Sequence, residues 1–245
     1  MTTRENLIGL VNRYGGEWAK VAEALSRHEI ATGLYRKEKC ITILDEEYPE
    51  ELRKLRYPPW VLFYEGDITL LKCPKVTIVG SRELSIYGYR MTKYAASILK
   101  KKYVLISGLA KGADACVHEE AMCGGKTIAV IGSGLGTQYP AENRYLYDKI
   151  RTQHLLLSEY PYDVGVRKHH FPWRNRILAG LGESVVVTQA KTQSGTMLTV
   201  NEAIQMAKDV YCFPYPFDEE NGSGCNRLIA DGAYILCEKA QLYEI

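Results

Sequence analysis

Residues 167–176 read Arg-Lys-His-His-Phe-Pro-Trp-Arg-Asn-Arg, a run of four basic side chains, two histidines and two aromatics with no acid. Aromatic faces stack on any base, at about 1–3 kcal/mol per base, while Arg and Lys hold phosphates. A duplex hides its base faces, so this mixture favours a single strand. The competing reading is a solvated basic loop that enters a helix, with Phe171 and Trp173 covering the core. Composition alone leaves both open, because basic clusters are common without a nucleic-acid role. Asn175, between Arg174 and Arg176, has the chemistry to bond a base edge, a phosphate or a backbone group.

A second set of candidates follows β-branched runs. Val79 leads into Gly80-Ser81-Arg82, Ser107 into Gly108-Leu109-Ala110-Lys111-Gly112, and Ile131 into Gly132-Ser133-Gly134. After Thr188 come Gln189-Ala190 and then Ser194-Gly195-Thr196. Glycine lets the backbone approach a ligand, and N–H groups with nearby hydroxyls hold phosphate oxygens. Four such strand ends on one edge make an anion-binding rim. Gly80, Ser81, Arg82, Gly108, Lys111, Ser194, Gly195 and Thr196 are its candidate contacts, beside Lys168, Phe171, Arg174, Asn175 and Arg176.

Known phosphate motifs do not match. Gly125-Lys126-Thr127 precedes a strand and lacks the leading glycine of a P-loop, since Glu120 stands there. Gly132-Ser133-Gly134-Leu135-Gly136-Thr137 has Thr137 where a dinucleotide fingerprint needs glycine. Ser194-Gly195-Thr196 is reminiscent of the loop of nucleotide-processing enzymes, but Thr199 occupies the place of their catalytic glutamate, and Glu202 lies about one helical turn later. No nucleophile elbow or distinctive carboxylate pair is present. Asp114 and His118 are four apart on one helix face, a spacing more typical of a helix hydrogen bond than of a metal site. His169 and His170 are adjacent, so they are not expected to share a metal. No cofactor and no metal is expected.

These loops need a frame. Strand-like runs recur at 61–64, 76–79, 103–107, 127–131, 155–158, 185–188, 210–213 and 234–236. Amphipathic helical stretches fall between them, near 87–101, 113–123, 142–151, 173–180, 196–207 and 224–231. Apolar strands alternating with helices predict a mainly parallel sheet covered on both faces. The fold class is α/β, an extended Rossmann-like three-layer α/β/α domain over 61–245, preceded over 1–60 by a short helical extension and a proline-punctuated connecting segment. Ligands in such sheets bind beyond the carboxyl ends of the strands. In the extension, Leu7, Leu10 and Val11 share helical spacing, as do Trp18, Val21, Ala22 and Leu25, and Gly15-Gly16 separates the two runs.

The 245 residues carry a net charge of +2, so an electrostatic footprint must be local. Seven cysteines, odd in number and without CxxC spacing, argue against a disulfide framework or a zinc ribbon and for reduced thiols. No signal-like leader and no apolar run near the roughly 20 residues of a membrane span is seen, which predicts a cytoplasmic protein without a membrane partner.

The ordered set Ile78-Val79-Gly80-Ser81-Arg82, Ser107–Asp114 with His118, Thr127–Gly134 with Tyr139-Pro140, Ser158-Glu159-Tyr160-Pro161, Phe171–Ile177, Ser194-Gly195-Thr196 and Gly224-Cys225-Asn226-Arg227-Leu228-Ile229 resembles the DprA/Smf family of DNA-processing proteins. The likeness runs over roughly residues 41–236. It implies a non-catalytic homodimer that binds single-stranded DNA, protects it and delivers it to the RecA recombinase in natural transformation. It also implies DNA contacts from Arg82, Lys168 and Phe171. The chain departs from the family pattern in four places. Gln189 stands where Glu is common, Gly112-Ala113-Asp114 replaces a GID sequence, Val210–Phe217 replaces a usual Val-Pro-Gly stretch, and the C-terminal winged-helix-like domain of many members is not expected here. The rival readings on a related fold are a nucleoside-monophosphate glycoside hydrolase and a nucleotide-sensing module.

Overall fold

The structure is a computed structural model and describes residues 2–33 and 35–245. Its nine described strands form one sheet in the order β1-β2-β6-β5-β4-β3-β7-β8-β9. They are β1 (Cys40–Thr42), β2 (Val61–Gly66), β3 (Lys75–Val79), β4 (Val104–Ser107), β5 (Thr127–Ile131), β6 (Leu155–Ser158), β7 (Val185–Val187), β8 (Val210–Cys212) and β9 (Tyr234–Ile235). From β6 to β9 every pairing is parallel, and β2 runs antiparallel to both β1 and β6. Two parts of the 1–60 segment therefore differ in role. Cys40–Thr42 extends the sheet, pairing Ile41 with Leu62, so the sheet begins ahead of residue 61.

The helices are α1 (Thr3–Arg13), α2 (Trp18–Ser26), α3 (Glu50–Arg53), α4 (Ile86–Leu99), α5 (Ala113–Met122), α6 (Arg144–Gln153), α7 (His170–Leu181), α8 (Gly195–Gln205), α9 (Ser223–Ala230) and α10 (Gln241–Glu244). A capping box starts α1: Thr2 Oγ1 accepts from the Glu5 N–H at 3.2 Å and the Thr2 N–H donates to Glu5 Oε2 at 2.8 Å. Successive strand residues point to opposite faces, which splits the core in two. Leu62, Ile128, Val130, Leu155 and Leu157 pack in one apolar cluster with residues of α4, α7 and α8. Val61, Phe63, Ala129, Ile131 and Leu156 pack in the other, with α1, α2 and α6. The N-terminal helices are thus part of the main core. No described helix is long and apolar enough to cross a membrane.

His118 shows what this core does to a titratable group. It is fully buried, and its Nδ1 lies 2.7 Å from Thr127 Oγ1, whose own proton goes to the Leu105 carbonyl at 2.7 Å. Nδ1–H is therefore the donor, and Nε2 is left buried without a partner. Burial, reinforced by the nearby His154 and Arg174, lowers the His118 pKa from 6.5 to about 3. The unfolded chain then binds one more proton than the folded chain between those values, so stability falls as pH falls. The expected loss from this one group is about 2 kcal/mol between pH 7.5 and 5. Urea midpoints at the two pH values test it: His118→Gln, which does not titrate, is expected to lose that part of the pH dependence.

Candidate nucleic-acid interface

The four strand ends singled out by their glycines belong to β5, β4, β3 and β7, which are immediate neighbours in the parallel sheet. The strand order reverses at β3, where β4 lies to one side and β7 to the other. Such a switch point opens a crevice at the carboxyl edge of a doubly wound sheet. A cleft of about 120 Å³ lies there, lined by Arg82, Gly108, Ala110, Lys111, Ile131, Gly132, Ser133, Tyr139, Pro140, Tyr147 and Phe171. Arg82 is exposed, with its Cζ 5.5 Å from the centroid of the half-buried Phe171 ring, within cation–π range. Tyr139 sits 5.7 Å from the same ring on another side. Lys168, three residues before Phe171, is exposed and makes no ion pair among the described residues.

Arg174, Asn175 and Arg176 lie elsewhere than an open grip requires. The helix α7 begins at His170, before the segment ends, and turns these three side chains inward. Arg174 donates from Nη1 to the Gly108 carbonyl at 2.7 Å and also to the Val130 carbonyl, tying the ends of β4 and β5 together. Gly108 is glycine for this reason, since a Cβ would stand 2.5 Å from the guanidinium. Arg176 is held by both carboxylate oxygens of Glu159, at 2.8 and 2.6 Å, and both side chains are only 4% exposed. Asn175 is buried and reaches the Gly195 carbonyl at 3.4 Å. Composition shows that a guanidinium is present, not which way the helix faces. Arg174 and Arg176 fix α7 against the strand ends, Asn175 ties it to the start of α8, and Phe171 is presented from the first turn of α7.

The rim residues divide in the same way. Ser81 Oγ accepts from the Glu83 N–H at 3.0 Å and donates to the Glu83 carbonyl at 2.8 Å, so its hydroxyl shapes its own turn. Gly80 is packed against Thr188 Oγ1 and the Ala113 methyl, and Thr196 Oγ1 donates to the Gly80 carbonyl at 3.0 Å. Gly112 has φ +72° and would drive a Cβ into the Ser81 carbonyl, which accounts for glycine there. Gly195 faces open space and Ser194 Oγ is buried without a partner, but both lie outside the cleft. Lys111 reaches the cleft while paired with Glu142, so an anion must compete with that carboxylate. Gln189 accepts from Ser85 N–H and Oγ, both at 2.9 Å, and donates to the Glu83 carbonyl at 3.0 Å. Its amide thus braces the loop that carries Arg82, and a glutamate could not make the last of these bonds.

Asp114 and His118 do not pair. Asp114 accepts from Ser107 Oγ at 2.9 Å and the Ala110 N–H at 3.2 Å, and burial raises its pKa. His169 and His170, by contrast, come together with a third residue, Glu17, far from them in sequence. The rings meet at 83°, and their donor atoms and a Glu17 oxygen all lie within 4.8 Å of one another. Sequence reasoning also missed Tyr139, Tyr147 and Ser133. Tyr139-Pro140 and Gly132-Ser133 stand in sequence as parts of family-like motifs, and only the fold brings them to the cleft that Phe171 lines.

The fold and cleft define a class: doubly wound α/β proteins with a crevice at the carboxyl edge of a mainly parallel sheet, here lined by cations and aromatic rings. The sequence profile described as "DNA recombination-mediator protein A" matches residues 39–245. The chain belongs to this DprA/Smf family of DNA recombination mediators. It is 42% identical over 203 residues to DNA processing protein DprA of Streptococcus pneumoniae, covering 82% of this chain and 72% of that protein. It is 37% identical to DprA of Bacillus subtilis, covering 86% and 72%. The crystal structure of the S. pneumoniae protein superposes with a TM-score of 0.84 at 35% identity, covering 98% of this chain and 92% of that one. A structure of DNA processing protein A from Helicobacter pylori, described by its single-stranded DNA binding mode, gives 0.77 at 30% identity, covering 84% and 95%.

Proposed function

We propose that this chain binds single-stranded DNA across the cleft at the ends of β3, β4 and β5, without catalysing a reaction on it. The carrying observation is the pairing of an exposed cation, Arg82, with an aromatic face, Phe171, at 5.5 Å. One group suits a phosphate and the other an unstacked base. Lys168 adds a second phosphate contact at the start of α7, where the helix dipole also favours an anion. Family membership supports the wider reading: the protein shelters an incoming strand as a homodimer in the cytoplasm and passes it to a RecA-type recombinase during transformation. Against a glycoside hydrolase stands Thr199, only 2% exposed where the catalytic glutamate would have to be.

The test is a fluorescence titration with oligo(dT) and with a duplex of equal length over a range of salt. Tighter binding of the single strand at each salt concentration is expected, with a mononucleotide failing to compete at equal phosphate. Preference for the duplex, or full competition by the mononucleotide, would remove the reading in favour of the sensing module. Release of free base from nucleoside monophosphates would instead establish the hydrolase.

A further inference from the structure

Glu17, His169 and His170 bring three metal-ligating groups to one point outside the cleft. Glu17 precedes α2, and its Oε1 lies 3.3 Å from His169 Nε2 and 3.7 Å from His170 Nε2. Zinc holds imidazole nitrogens and carboxylate oxygens near 2 Å in a tetrahedral shell, which sets its ligand atoms about 3.4 Å apart. Both spacings around Glu17 are already close to that value.

His170 supplies an independent observation. Its side chain is 1% exposed and its ring stacks on Tyr160 at 3.9 Å. Nδ1 lies 3.1 Å from the Gly132 carbonyl, which can only accept, so Nδ1 carries the proton. In the neutral ring Nε2 then offers a lone pair, and this buried atom has no hydrogen-bond partner. It faces a carboxylate oxygen, so two acceptors oppose each other, a costly arrangement that a cation between them relieves. A backbone carbonyl behind a histidine is also how metal sites fix the tautomer and aim the ligating nitrogen.

We infer that Glu17, His169 and His170 form a binding site for a zinc-class divalent transition metal, which ties the start of α2 to the segment carrying Lys168 and Phe171. Two imidazoles and one carboxylate suit zinc or cobalt and leave a fourth position open to water, whereas magnesium and calcium require oxygen shells. Arg167 Nη1 stands 3.0 Å from Glu17 Oε1, but its side chain is 57% exposed and swings into solvent as the ion enters.

The test uses metal-stripped full-length chain titrated with cobalt(II), followed by its visible absorption, and with zinc(II) by calorimetry. A single equivalent of cobalt is expected, displaced by zinc, with no thiolate-to-cobalt charge-transfer band. Glu17→Gln and His169→Ala, which leave the Tyr160 stack in place, are each expected to weaken binding about tenfold or more, since even outer-shell losses reach that size. Zinc should raise the Tm of the parent chain and not of these variants. No binding at micromolar metal, affinity unchanged in both variants, or a thiolate band from the exposed Cys123 or Cys237 overturns the site.

Discussion

Glu159→Ala is expected to lower the unfolding free energy by about 3–5 kcal/mol, the cost of stranding one member of a buried ion pair. The guanidinium it would strand is tightly enclosed. Besides Glu159, Arg176 donates from Nε to the Tyr57 carbonyl at 2.8 Å and from Nη1 to the Trp173 carbonyl at 2.7 Å, and its Cζ lies 4.3 Å from the Trp173 ring. Those two carbonyls satisfy the hydrogen bonds but not the charge. The pair also joins separate elements, since Glu159 follows β6 while Arg176 sits on α7. Trp173 continues the link to Tyr57 at 5.4 Å, and Tyr57 to Trp18 at 5.1 Å, reaching the N-terminal helices. The measurement is a urea denaturation midpoint against the parent chain. A double replacement, Glu159→Leu with Arg176→Met, removes both charges and is expected to recover most of the loss. A loss under about 1 kcal/mol in the single variant would mean that the pair is solvated and behaves like a surface bridge.

The same pair shows what could be seen in the sequence and what could not. The eight strand runs from residue 61 onward all became strands, because an apolar β-branched run between helices has few other ways to bury itself. The connecting segment ahead of residue 61 reads as irregular, since three paired residues near prolines carry too little periodicity; β1 exists because β2 offers it an edge. The rim of four glycine loops was legible once topology placed their strands side by side. The direction of side chains was not. Arg174, Asn175 and Arg176 look like a basic grip in composition, and only α7 reaching back to His170 turns them inward. Partners for them did exist in the sequence. Glu159 and Gly108 are the buried carboxylate and the missing side chain that two inward arginines require, but neither is near them in the chain. Glu17 is farther still, 152 residues from His169, so no local pattern could unite that cluster.

Phe171→Ala and Arg82→Ala are expected to weaken oligo(dT) binding in two distinguishable ways. Loss of the ring removes a stacking platform worth about 1–3 kcal/mol, roughly 5- to 150-fold in Kd, while leaving the salt dependence nearly unchanged. Loss of the guanidinium removes one phosphate partner, so the slope of log K against log salt should flatten by about 0.7. The geometry predicts an additional coupling. Arg82 lies over the Phe171 ring, and that contact contributes about 0.5–1 kcal/mol to holding the cation at the cleft mouth. Cutting the ring therefore also loosens Arg82, and the double variant should lose less than the sum of the two single losses. Lys168, exposed and without an ion pair among the described residues, is expected to change the slope without any such coupling to Phe171. Arg174 offers the contrasting case. Because it holds Gly108 and Val130 inside the sheet edge, Arg174→Ala should lower the urea midpoint as well as the affinity, whereas Arg82→Ala should lower only the affinity. Additive losses with equal slopes in both single variants would mean that the strand does not cross this cleft with a base on Phe171 and a phosphate on Arg82.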